Sequence, residues 1–226
     1  MDAKIYEKES QLFIEKEEGT FEQKVRVYPK IKRGMDIILS LIGLVVLSPI
    51  FLLLALIVKI DSKGPVFFAH KRIGKNGKTI KIYKFRTMCE NAENMIKDFT
   101  PEQMKEYKEY FKLEKDPRVT RVGKILRKTS LDELPQILNI LKGDLSIIGP
   151  RPIVQAELEK YGPNKRKFLS VTPGLTGYWQ ANGRSDTTYE DRIRMELYYV
   201  DHISFKLDIK IFFATIVSVL KGRGAK

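Results

Sequence analysis

Residues 37–58, IILSLIGLVVLSPIFLLLALIV, decide how the rest of the chain is read. No charge interrupts these 22 positions. As one straight helix they would measure about 33 Å, enough for a bilayer core of roughly 30 Å. Runs of this length and purity mean membrane rather than soluble core, and apolar residues on every face argue against an interfacial amphipathic helix. Two readings stay open. A kinked single span would export one basic cluster, because Lys30, Lys32 and Arg33 precede the run and Lys59, Lys63, Lys71 and Arg72 follow it. That conflicts with the positive-inside rule. A re-entrant helix–break–helix avoids the conflict. Pro49 removes a backbone donor, Ser48 can satisfy a freed carbonyl, and each half would be roughly 17 Å, too short to cross.

Outside this run the chain of 226 residues has the composition of one moderate domain with attachments: 43% hydrophobic, formal net charge +13. So basic a balance points to polyanionic partners such as anionic lipid, phosphorylated substrates or nucleic acid. A single cysteine, Cys89, excludes an internal disulfide framework. Two histidines, His70 and His202, are too few for a Cys/His zinc site, and both read as structural. Three parts are expected: a polar arm over 1–29, the membrane element over 30–60, and a cytosolic or interfacial domain over 61–226. Within the arm, LFI at 12–14 and VRV at 25–27 could form short strands or nothing.

Beyond the run, VFFAHKRIG and KTIKIYKFRTM flank Lys75-Asn76-Gly77-Lys78, and Asn-Gly is a strong hairpin signal. Residues 90–113 read as amphipathic helix broken near Thr100-Pro101, with Thr100 as N-cap and proline at the first helical position. The polar stretch 154–168 reads as helix followed by a turn at Gly162-Pro163. Residues 172–184 read as a Gly-rich loop, and 191–200 as helix. The last apolar segment, 204–220, is short and carries internal charge, which fits a packed or membrane-surface helix rather than a second span.

The chemistry concentrates in 127–152, RKTSLDELPQILNILKGDLSIIGPRP. Leu134, Ile137, Leu138 and Leu141 make one face of a helix expected to begin near Asp132 and to end at Gly143. Ser130-Leu131-Asp132-Glu133 matches a capping box, and Asp132 could itself be the N-cap with Pro135 at a position that needs no donor. Capping and catalysis therefore compete for the same two carboxylates. Arg127, Lys128 and Arg151 lie close in sequence, while Lys84 and Arg86 end the second hairpin strand. Cations around Asp132 would lower its pKa, and an ionised aspartate facing phosphorus can act as nucleophile. The stiff turn Gly149-Pro150-Arg151-Pro152 would fix an arginine suited to clamping phosphate oxygens.

Taken together, several pieces resemble the bacterial sugar transferase family of monotopic phosphoglycosyl transferases: KRGMDI, the run broken at Ser48-Pro49, GPVFFAHKRIGKNGKTIKIYKFRTM, TSLDELPQILNILKGDLSIIGPRP, VTPGLTGYWQANGR and LYYVDHISFKLDIKIFFATIVSVLKG. They run from about residue 32 to 222 in the expected order. The resemblance implies an α/β, mostly helical protein: a re-entrant membrane helix joined to a compact catalytic domain with a β-hairpin and membrane-surface helices. It implies a ping-pong reaction in which a UDP-sugar gives its sugar phosphate to an aspartate, UMP leaves, and undecaprenyl phosphate takes the sugar phosphate. Such chemistry opens bacterial exopolysaccharide, capsule or O-antigen synthesis at the cytoplasmic face of the inner membrane. On this sequence Asp132 and Glu133 are the dyad and the implied Mg²⁺ ligands. Lys84, Arg127, Arg151 and Arg184 match basic site positions, with Arg86 ranked lower. The GRSD variant at 183–186 suggests galactose or glucose. A homodimer stays open, and no nucleic-acid motif is present. Two alternatives are a membrane-tethered basic binding module, which would release no nucleotide, and a glycosyl transferase acting on lipid, which would release UDP.

Overall fold

The computed structural model describes residues 3–110, 113, 115–183 and 187–220. The apolar run lies in α1 (Ala3–Asp61). This helix corrects two expectations. The arm is helical from Ala3 and contains no strands at 12–14 or 25–27; a lone strand has no ladder partner, whereas a helix satisfies its own backbone. The element also does not break at Ser48-Pro49: helical structure continues through both residues. The reason is local. Pro49 has no N–H for the carbonyl four residues back, that of Val45, and Ser48 Oγ donates to that same oxygen at 2.8 Å.

The expected hairpin forms. Strands β1 (Phe67–Ile73) and β2 (Thr79–Phe85) pair antiparallel, with Ile73 opposite Thr79 and Phe67 opposite Phe85. Asn76 and Gly77 take consecutive positive φ values of 56° and 79°, the twist that tight hairpin turns require. Ile80 and Ile82 pack with Ile140 and Leu145, and Phe85 packs with Leu54, Val58 and Leu126. The free edge of β2 is covered by a side chain. Asn139, fully buried on α4 (Gln136–Lys142), donates Nδ2–H to Lys81 O at 2.6 Å and accepts from Tyr83 N at 2.9 Å.

Between hairpin and site lie α2 (Pro101–Tyr110) and α3 (Arg121–Thr129). The Thr100 cap is present: Thr100 Oγ1 accepts from Gln103 N, and Gln103 Oε1 accepts from Thr100 N. After α4 comes a parallel pair not expected from the sequence, β3 (Ser146–Ile148) and β4 (Gly174–Thr176). The chain between them forms α5 (Gln155–Leu158) and α6 (Lys165–Phe168), joined by a 3₁₀ stretch. The remaining helices are α7 (Tyr178–Asn182), where a loop was expected, α8 (Tyr189–Asp201) and α9 (Phe205–Leu220). Among the described residues the architecture is mostly helical with two small sheets.

Helix α1 touches this body toward both ends of its apolar run. Lys32 Nζ and Tyr28 OH each meet Asp208 Oδ2 of α9 at 2.5 Å. Arg33 donates to the carbonyls of Ile140 and Leu141, capping the C-terminal end of α4. Asp36 Oδ1 accepts from Ile147 N at 3.0 Å. Farther along, the Phe51 ring packs at a tilt against Phe67 and Phe85, and Leu54 and Val58 are buried. The other face is bare: Val45 and Leu52 are 73% and 74% exposed, and α9 exposes Phe205, Phe213 and Val217. A contiguous apolar surface of this extent on a folded chain marks a membrane or partner contact.

Candidate active site

The Asp132–Glu133 pair sits on a 3₁₀ turn, Leu131–Glu133, between α3 and α4. Neither capping arrangement forms. Ser130, in the left-handed region at φ 58°, makes no side-chain cap, and Pro135 occupies the position before α4. A proline there leaves no donor to satisfy, so α4 starts four residues later than expected and the two carboxylates are not consumed as caps. They meet the hairpin instead. Lys84 Nζ, near the end of β2, donates to Glu133 Oε1 at 2.6 Å and lies 3.5 Å from Asp132 Oδ2.

Asp132 is 6% exposed. Burial pushes its carboxyl above the usual aspartate range, and the neighbouring Glu133 adds to this, against the pull of Lys84 and Arg127. The expected lowering is thus reversed: desolvation of a carboxylate on a buried turn outweighs nearby cations. Arg127 reaches the same neighbourhood, held by its Nε–H to Thr87 Oγ1 at 2.9 Å.

Lys84 and Glu133 line a pocket with Arg151, Arg72, His70 and Gln136. Arg151 is delivered by tight backbone packing. Gly149 N donates to Thr176 O and Gly174 N to Pro150 O, at 2.9 and 2.8 Å. A Cβ on Gly174 would lie 2.1 Å from Gly149 N, so only glycine permits the approach. The N–H of Arg151 itself donates to both oxygens of Glu196, a fully buried carboxylate of α8, at 3.1 and 3.2 Å. Burial pushes Glu196 up to about 7. One turn earlier on α8, Arg192 pairs with Glu157 at 3.0 Å and lies over the Trp179 ring at 4.5 Å.

Of the residues expected from sequence, Lys84, Glu133 and Arg151 share the pocket, with Asp132 and Arg127 beside it. Arg86 does not join them. Its Nη2 donates to Ser62 O and Oγ, where it fastens the turn after α1; residues of a strand alternate sides, but Arg86 lies beyond the end of β2 and follows the turn instead. Arg184 lies outside the described residues. The sequence reading missed Arg72 and placed His70 as structural. Both were within reach of strand alternation counted outward from Asn76-Gly77, since residues 68, 70 and 72 share the face of Lys84. His70 is pushed down to about 4 by desolvation and by Arg72 and Lys84, and so is neutral near pH 7. Glu157, Arg192 and Glu196 had no sequence signal beyond helical polarity.

Among the described residues no cluster of three or more His, Cys, Asp or Glu side chains could hold a metal. Asp132 and Glu133 still suit a hard cation. Mg²⁺ is commonly bound through one or two carboxylates, with waters and substrate phosphates completing the shell, and a cation there would relieve the raised Asp132.

The bacterial sugar transferase family model matches residues 27–222, from within α1 through α9. The chain belongs to the bacterial sugar transferase family. It is 46% identical over 197 residues to the exopolysaccharide production protein ExoY of Sinorhizobium fredii, covering 86% of this chain and 87% of that relative. It is 43% identical to the undecaprenyl-phosphate galactose phosphotransferase of Salmonella typhimurium, over 86% of this chain and 41% of the larger protein. It is 40% identical to the galactosyl transferase CpsE of Streptococcus agalactiae, over 98% of this chain and 50% of that one. This bacterial sugar transferase therefore carries its family's shared segment with the Asp132 turn inside it.

Proposed function

We propose that the protein transfers a hexose 1-phosphate from a UDP-sugar to undecaprenyl phosphate, with galactose the first candidate sugar. The observation that carries this is the Asp132–Glu133 pair, with Asp132 buried, neither carboxylate used as a helix cap, and both held against Lys84 at the edge of an arginine-lined pocket. The names of the Salmonella and Streptococcus relatives support the acceptor and the sugar.

In the first step an Asp132 carboxylate oxygen attacks the phosphorus that bears the sugar. An O–P bond forms, the bond to the bridging oxygen breaks, and UMP leaves with that electron pair. In the second step a phosphate oxygen of undecaprenyl phosphate attacks the same phosphorus. Asp132 leaves as carboxylate, and a lipid diphosphate sugar results. Splitting the transfer lets a soluble and a lipid substrate use one nucleophile in turn. Lys84 orients both carboxylates and, with Arg127 and Arg151, offsets charge on the transferring phosphoryl oxygens. Asp132 and Glu133 would hold Mg²⁺, which supplies further neutralisation of the diphosphate when bound.

The membrane reading is monotopic, at the cytoplasmic face of the inner membrane. Both ends of the apolar segment bind one body, through Lys32–Asp208 at one end and Val58–Phe85 at the other. A separate spanning helix would carry one end away from it. Accessibility labelling should find residues 30 and 63 on the same side of the membrane; opposite sides would restore a simple span.

The test of the reaction is a UDP-sugar panel with nucleotide detection. A stoichiometric burst of UMP without acceptor, continued UMP release once the lipid acceptor is added, and radiolabelled sugar phosphate trapped on protein are expected from the wild type and absent from Asp132→Asn. Release of UDP, or full turnover by the variant, would remove the aspartyl route.

A further inference from the structure

Arg72 stands out among the groups that line the pocket. It is largely withdrawn from water, with its side chain 22% exposed. Its nearest carboxylate, Glu157 Oε2, is 3.7 Å away, beyond hydrogen-bond distance. Glu157 is already engaged: Oε1 accepts from Arg192 Nη1 at 3.0 Å and Oε2 from Val154 N at 3.2 Å. A second guanidinium, Arg151, lines the same pocket. The acid that lines it, Glu133, is bonded by Lys84. Two arginines thus converge on a partly dry space in which neither has a bonded carboxylate facing it. Burying like charges together is costly, and the cost is recovered when an anion arrives. Burial and the Arg151 charge accordingly push the Arg72 guanidinium down to about 10, still protonated at neutral pH.

Position along the strand says which anion. Lys84, at the carboxylate pair, lies opposite Phe68, and Arg72 is four residues farther along β1 on the same face. At about 3.3 Å per residue the two backbone positions are roughly 13 Å apart. Both side chains are long and reach into the space between them. A diphosphate laid along this face would put its reacting phosphorus at the Lys84 end and its other phosphate at the Arg72 end. A guanidinium is the group best shaped to hold that phosphate through two parallel N–H···O bonds.

We propose that Arg72 is a phosphate-binding residue of both half-reactions: it grips the phosphate of the nucleoside diphosphate sugar that departs with the nucleoside, and then the lipid phosphate that attacks from the place so vacated. The proposal rests on the phosphoglycosyl transferase reading. It predicts a paired loss that ping-pong kinetics can read, because kcat/KM for each substrate then reports its own half-reaction. Arg72→Ala and Arg72→Lys would be assayed in detergent, with rates normalised to active sites counted by trapped sugar phosphate, so that misfolded protein drops out. For Arg72→Ala, kcat/KM for the UDP-sugar should fall about 30-fold, the range expected for losing charged hydrogen bonds. Inhibition by UMP should weaken by a similar factor, and kcat/KM for undecaprenyl phosphate should fall with it. Arg72→Lys should recover part of the loss, since it keeps charge but not the fork. An unchanged value of kcat/KM for either substrate, or undiminished inhibition by UMP, would overturn the assignment. Failure of the function itself looks different: the wild type would then release no UMP and trap no sugar phosphate, whatever stands at residue 72.

Discussion

The two halves of helix α1 meet the same body by opposite means. Before Ser48-Pro49 the contacts are polar and buried: Tyr28, Lys32 and Tyr199 converge on Asp208, Arg33 caps α4, and Asp36 holds the start of β3. After it they are apolar: Phe51, Leu54 and Val58 against Phe85 and Leu126. The difference teaches where specificity is needed. Apolar packing tolerates small shifts, whereas a carboxylate with three donors permits one register. The polar half therefore sets the rotation and depth of the helix, and the apolar half fills the space beneath the hairpin that carries Lys84.

Breaking the polar half should cost most. Asp208→Ala leaves Lys32 buried without its partner and should destabilise the protein by about 3–5 kcal/mol, read by thermal denaturation in detergent. Leu54→Ala in the apolar half should cost about 2–3 kcal/mol, with activity retained at low temperature. A loss from Asp208→Ala no larger than from Leu54→Ala would erase the distinction between the halves.

The buried carboxyl of α8 sharpens the comparison, because unlike Asp208 it lies over an arginine backbone without a tight cation. The folded-state value of Glu196 is about 7, above the roughly 4.3 of an unfolded glutamate. The native state thus binds the extra proton between those values, and the Glu196 contribution to stability falls as pH rises from about 4.3 to 7. Asp132, also raised, acts in the same direction. Glu196→Gln should flatten that slope in melting temperature measured from pH 5 to 8; an unchanged slope would assign it to other groups. The smallest effect is expected at the join between the halves. Ser48→Ala removes the bond that stands in for the missing Pro49 donor, for about 0.5–1.5 kcal/mol.

Much of this was readable beforehand wherever the determining interaction is local. The hairpin followed from Asn76-Gly77, the α2 cap from Thr100-Pro101, and the end of α4 from Gly143. The site was readable only as a cluster of residue types. Capping and catalysis looked alike for Asp132 and Glu133, and the structure removes only the capping role, because Pro135 starts α4 without it. The parallel pair β3–β4 escaped notice because three-residue strands separated by 25 residues have no periodicity to detect. Arg86 was misplaced because position in sequence does not say which way a side chain leaves the end of a strand.

By itself, then, the sequence determined an apolar run long enough for a membrane, a hairpin, capped helices and a family resemblance carried by motifs, since each depends on residues within a few positions of one another. Tertiary structure alone decided what the charges do. Asp208 reaches Lys32 across 176 positions, Arg72 is set beside Arg151 by strand register and two glycines, and burial raises the Asp132 carboxyl although cations surround it. Desolvation and long-range pairing depend on what surrounds a group in space, and that is a property of the folded chain.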